Sequence, residues 1–112
     1  MGDPVEFCVG QVVTVFRSRL RPGDQAAYSE MAGAMEEAAR TSPGFVDYAV
    51  FVAADGERVS VVTFATREAH AAWRDDLRHR AAQHIGRKEF YDSYSVQVGE
   101  CHSVSSWERP PG

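Results

Sequence analysis

The 112-residue chain has no asparagine, one isoleucine (Ile85), one lysine (Lys88) and two cysteines, Cys8 and Cys101. Alanine, glycine, valine and arginine fill those places, the usage of a GC-rich coding sequence. The two cysteines lie far apart and no CxxC or other zinc spacing exists, so the sequence carries no dithiol or zinc-ribbon motif. Two free, half-buried thiols are the expectation, with a Cys8–Cys101 disulfide as the alternative. An excess of positive charge is also lacking. The net charge is −4 and the pI about 5.5, which argues against a nucleic-acid partner, since phosphate binding needs clustered cations. No apolar run approaches the roughly 18–20 residues of a membrane span. The first residues, Met1 to Glu6, have neither the basic start nor the apolar stretch of a signal peptide. A cytoplasmic setting without membrane contact is the default expectation. There is no GxGxxG, no P-loop and no convincing metal motif, so nothing in the sequence calls for a cofactor.

What is present is ordinary for one globular domain: 44% hydrophobic and 25% charged residues. Residues 9–18 (VGQVVTVFRS) are rich in β-branched side chains and predict a first strand. Pro22-Gly23 makes a turn, and Asp24 is a candidate N-cap for a helix over 25–40. Ala27, Tyr28, Met31, Met35 and Ala38 recur there at helical spacing. Ser42-Pro43-Gly44 stops that helix. A second strand at 45–53, an Asp55-Gly56 hairpin turn and a third strand at 58–65 follow. Thr66 caps a second helix from Arg67, with Ala69, Ala72, Trp73, Leu77 and Ala81 on one face and Gly86 as its breaker. Residues 90–104 give a fourth strand, with a division near Gly99 as an option. The order β-α-β-β-α-β predicts a ferredoxin-like α+β fold: four antiparallel strands with both helices on one face. The whole chain reads as one domain, its core about 9–105, with loose tails.

A sheet covered on one face should alternate apolar and polar residues. These strands do not. Val12 and Phe16 oppose Val13 and Val15; Val59 and Val61 oppose Val62 and Phe64. On the second strand a regular alternation puts Phe45, Ala49 and Phe51 opposite Val46, Tyr48, Val50 and Val52. Two helices cover one face only, so a homodimer that stacks the other faces is expected. A monomer that uses the second face for a large ligand is the alternative.

The stretch WRDDLRHRAAQHIGRKEFYDSY (73–94), with RPGDQAAY (21–28) and SPGF (42–45), resembles the antibiotic biosynthesis monooxygenase family. The resemblance spans roughly 9–105 and implies a dimeric α+β barrel. In the family's oxygenase branch it implies a pocket between sheet and helices that holds an electron-rich, polyketide-like aromatic. A base removes a proton, the substrate anion reduces dioxygen directly, and the product is a quinone. The function implied is a cofactor-independent monooxygenase of secondary metabolism acting on a phenol, anthrone or quinol. An isomerase or cyclase working without dioxygen, and a non-catalytic small-molecule binding protein, are the alternatives.

The resemblance assigns Trp73 as an indole N–H donor to a substrate oxygen; a packed core tryptophan is the plainer reading. His79 lies six residues further on, about 120° around an ideal helix, so only a break would turn it inward. His79 is nonetheless the first candidate base and His84 the second, because imidazole titrates near neutrality. His70 flanks the same helix face. Tyr91 and Tyr94 stand on opposite faces of a regular strand, and either hydroxyl can bind a ligand or simply pack. Phe16, Tyr28, Met31, Met35, Tyr48 and Phe64 are candidate pocket walls, or plain core. His70, His79 and His84 lack metal-ligand spacing, and no metal is expected. The asparagine that the best-understood oxygenases and the haem-degrading branch use has no counterpart. Phe16 falls near the haem branch's asparagine, which argues against haem breakdown. Gln11, Gln83 and Gln97 are side-chain amides that could replace it.

Overall fold

The computed structural model describes residues 5–23, 25–83 and 90–112, and only the backbone over 78–83. Six elements follow in order: β1 (Val12–Leu20), α1 (Gln25–Arg40), β2 (Phe45–Val52), β3 (Arg58–Phe64), α2 (Arg67–Gln83) and β4 (Tyr91–Glu100). The strands form one antiparallel sheet in the order β2-β3-β1-β4. This is the ferredoxin-like arrangement, with first and last strands side by side.

Local chemistry explains the boundaries. β1 begins at Val12 rather than at Val9, because residues 9–10 form a turn with Gly10 at φ 93°. Gln11 fixes that turn: its Oε1 accepts from Cys8 N at 3.0 Å. The strand runs on to Leu20, past the expected end, as Arg17 and Arg19 pair with Glu57 and Asp55 of the β2–β3 hairpin. In that hairpin Gly56 takes φ 92° and donates to Ala53 O at 2.9 Å. α1 ends where Ser42 Oγ donates to Ala38 O at 2.7 Å and Gly44 turns to φ 80°. Thr66 Oγ1 accepts from Ala69 N at 3.1 Å, the N-cap bond expected of it. β4 is continuous through Gly99 and stops at Glu100. Asp24 and Gly86 lie outside the described residues.

Two irregularities overturn expected side-chain phases. The β2–β3 register shifts between Phe45 and Asp47. Phe45 therefore faces Phe64 and packs with Tyr48 in the core, instead of opposing it. The β1–β4 register shifts where Leu20 pairs with Tyr91 and Arg19 with Ser93. Asp92 is the extra residue, and Tyr91 and Tyr94 come to the same face, their rings 5.7 Å apart.

The core is small and sits at one end. Ala39, Val62, Phe64 and Trp73 are buried, and Phe45, Tyr48, Ala69 and Leu77 pack on them. Phe64 stacks on Trp73 at 5.0 Å. The buried stripe of α2 is Ala69, His70, Trp73 and Leu77; Ala72 faces solvent and His70 takes its place. Both thiols are free. Among the described residues no helix is long and apolar enough to cross a membrane.

Candidate functional site

Strand alternation divides β1 and β3 in an unusual way. Thr14, Phe16 and Ser18 of β1, with Arg58, Ser60 and Val62 of β3, face the helices and line a cavity. The intervening residues, Val13, Val15, Val59 and Val61, face the uncovered side. The outward set also holds Arg17 of β1 and Gln97 of β4, so both faces of the sheet mix polar and apolar residues. Thr14, Ser18, Arg58 and Ser60 thus set a few polar groups in an otherwise apolar lining, as a ligand cavity requires.

The cavity has a volume of about 330 Å³ and lies between the sheet and the two helices. Tyr28, Met31 and Met35 of α1 form one wall, and His70, Trp73, Arg74 and Leu77 of α2 form another. Tyr48 and Tyr91 also line it, as do Val96 and Val98 of the edge strand.

Within the wall, His70 Nε2 lies 2.8 Å from Thr14 Oγ1, a buried contact between α2 and β1. Burial, and then the charge of Arg74, lower the His70 pKa below the usual histidine value, so the ring is neutral at neutral pH. Trp73 is buried, yet among the described residues its indole N–H has no hydrogen-bond partner. Arg58 lies with its guanidinium carbon 5.4 Å from the Tyr28 ring centre, and its Nε–H is likewise buried and unpartnered. Burial raises the Tyr48 hydroxyl pKa, against an opposing hydrogen bond with Ser60.

The candidate residues are placed as follows. Phe16, Tyr28, Met31, Met35, Tyr48, His70, Trp73 and Tyr91 lie in the wall. Phe64 does not: it is fully buried beneath Trp73. Tyr94 stacks on Phe16 with ring centres 5.6 Å apart but is half exposed on the edge strand, outside the wall. α2 runs without a break through residue 79; the His79 side chain lies outside the described residues, as does His84. Gln11 is spent on the Cys8 turn. Gln97 pairs with Val15 on the uncovered face, and the Gln83 side chain is outside the described residues. No three His, Cys, Asp or Glu side chains cluster as metal ligands among the described residues.

Sequence reasoning missed Thr14, Ser18, Arg58, Ser60 and Arg74. The pattern that marks the first four is in the chain: Thr14, Phe16 and Ser18 alternate with valine and arginine, as Arg58 and Ser60 do with valine. Hydropathy reads such polar residues as solvent-facing.

A family model, antibiotic biosynthesis monooxygenase, matches residues 11–85. The chain belongs to this family. It is 31% identical over 86 residues to the uncharacterized protein YqjZ of Bacillus subtilis, covering 77% of this chain and 75% of that one. Solved structures share the fold, two of them as follows. Rv0793 of Mycobacterium tuberculosis superposes with a TM-score of 0.70 at 24% identity, over 87% of this chain and 100% of the other. A point variant of SnoaB, a cofactor-independent oxygenase from Streptomyces nogalater, gives 0.67 at 15% identity, over 84% and 95%.

Proposed function

We propose that this family member is a cofactor-independent monooxygenase of secondary metabolism that oxidises a phenolic, anthrone or quinol-type aromatic in the cavity. The observation that carries this reading is the buried, unpartnered N–H of Trp73 in a cavity wall beside a neutral histidine. A buried donor without an acceptor costs about 1–3 kcal/mol, and a ligand oxygen would supply what is missing.

Neutral His70 is the base in this reading. With its proton on Nε2, donated to Thr14 Oγ1, the ring keeps Nδ1 free to accept a proton. His79 and His84 are the other histidines the sequence offers for that task. For an anthrone, the base removes a proton from the methylene carbon, and the Trp73 N–H stabilises the charge on oxygen. The enolate passes one electron to dioxygen, the two radicals recombine, and the hydroperoxide loses water to leave the quinone. One dioxygen is consumed and one water released per quinone formed. The aromatic and methionine lining supplies the apolar surroundings that such an anion needs.

A homodimer completes the proposal. Phe51 on the uncovered face is 59% exposed, and Val13, Val15, Val59 and Val61 share that face. A second copy stacked there would remove this surface from water.

Oxygen uptake by metal-free protein with anthrone or 1-naphthol as substrate tests the reading. Uptake that depends on protein and falls in Trp73→Phe is expected. Turnover that persists without dioxygen would assign an isomerase or cyclase instead, and binding without turnover a non-catalytic binding protein.

A further inference from the structure

Among the described residues, two buried side-chain nitrogen or oxygen atoms lack a hydrogen-bond partner: Trp73 Nε1 and Arg58 Nε. Both are N–H donors, and both residues line the same cavity. Orphaned buried polar groups are rare enough that a matched pair lining one cavity calls for a shared explanation. The two are not neighbours. Trp73 packs with Val62, and three residues of β3 lie between Val62 and Arg58, four steps or about 13 Å along the strand. With one donor on α2 and the other four positions along β3 from Val62, two acceptors on one ligand match them better than a single oxygen.

Charge narrows the chemistry. The described wall carries two guanidinium groups, Arg58 and Arg74, and no carboxylate. Other arginines of the fold have acidic partners: Arg17 with Glu57, Arg19 with Asp55, Arg40 with Glu36 and Arg67 with Glu100. Among the described residues neither Arg58 nor Arg74 has one. Instead Arg58 lies over the Tyr28 ring, which holds its charge at the cavity without neutralising it. An apolar cavity lined by unneutralised arginines favours an anion, and a guanidinium fork matches a carboxylate in both geometry and charge.

We infer that the cavity takes an aromatic acid: a fused-ring ligand with the reacting oxygen at the Trp73 end and a carboxylate held by arginine, chiefly Arg58. This deepens the proposed function and rests on the cavity being the ligand site. It adds that the substrate arrives charged. Arg58 then sets specificity through the acid group while Trp73 and His70 serve the reacting end.

Calorimetric titration with 6-hydroxy-2-naphthoate, its methyl ester and 2-naphthol, at low salt, tests the inference without requiring turnover. The acid should bind at least about tenfold more tightly than the ester, and added salt should reduce that preference. Arg58→Gln should bring acid and ester close to parity. Arg74→Gln, at an exposed position where folding is not at stake, should narrow the gap. Trp73→Phe should weaken acid and ester alike. Equal binding of acid and ester to the wild type, or a preference that survives in both arginine variants, would overturn the inference while leaving the oxygenase reading intact. Failure of all three probes to bind would overturn both.

Discussion

His70 Nε2 and Thr14 Oγ1 meet at 2.8 Å inside the protein, tying the second helix to the first strand at the edge of the cavity. The contact does two things. It gives a buried hydroxyl and a buried ring nitrogen their partner, and it fixes the orientation of the His70 ring against β1. Thr14→Val keeps the shape and removes the hydroxyl. It should destabilise the protein by about 1–3 kcal/mol, because the ring nitrogen is left buried and unpaired. Urea unfolding checks this; an unchanged midpoint would mean that the bond contributes nothing.

His70 also predicts a pH dependence. Burial and the neighbouring Arg74 lower its pKa in the folded state; the Thr14 hydroxyl and the Phe64 and Trp73 rings facing it from the sheet and its own helix bring no opposite charge. The unfolded chain therefore binds the extra proton more readily. Its contribution to stability is complete above the ordinary histidine value of about 6.5 and is lost as pH falls below it. Unfolding midpoints measured from pH 8 to pH 5 should drop more steeply in the wild type than in His70→Gln. Equal slopes would contradict the assignment.

Much of the fold was legible in the sequence, and its failures have physical causes. The limits of the first helix followed from Tyr28, Met31, Met35 and the Ser42-Pro43-Gly44 stop. The hairpin followed from Asp55-Gly56. The two register shifts did not, since Val46 and Asp92 look like ordinary strand residues and nothing local marks either as surplus. Each shift turned an aromatic residue over, Phe45 in one case and Tyr91 in the other. The cavity was half legible. Its aromatic and methionine walls were named from periodicity, but Arg58, Ser60 and Ser18 were not. In a strand with a period of two, hydropathy gives the two faces without saying which one the helices cover. Here both faces mix the two kinds: Val13 and Val15 share the open face with Arg17, while Thr14 and Ser18 share the covered one with Val62.

Gly44 offers a sharper test of the packing. Its φ is 80°, and a Cβ placed on it would lie 2.5 Å from the Ala69 Cβ. Gly44→Ala combines a left-handed backbone penalty of about 1–2 kcal/mol with overpacking of similar size. The total loss should be about 2–4 kcal/mol. Adding Ala69→Gly should relieve the clash but not the backbone strain, giving a coupling of about 1 kcal/mol or more in a double-mutant cycle. Simple additivity would show that the two residues do not touch.

The uncovered face predicts the assembly. Wild-type protein should sediment as a dimer at micromolar concentration. Phe51→Asp, which puts a charge on that face, should shift it toward the protomer. A wild-type chain that sediments as a lone protomer would remove the dimer from the proposal.

The central claim is that this cavity carries out oxygenation with dioxygen and the substrate's own electrons. Isotope labelling tests it most directly. Metal-free protein turning over anthrone under ¹⁸O₂ should yield a quinone with one labelled oxygen, at a rate that falls at least about tenfold in Trp73→Phe. A quinone without label, or formation that proceeds equally with and without the protein, would contradict it.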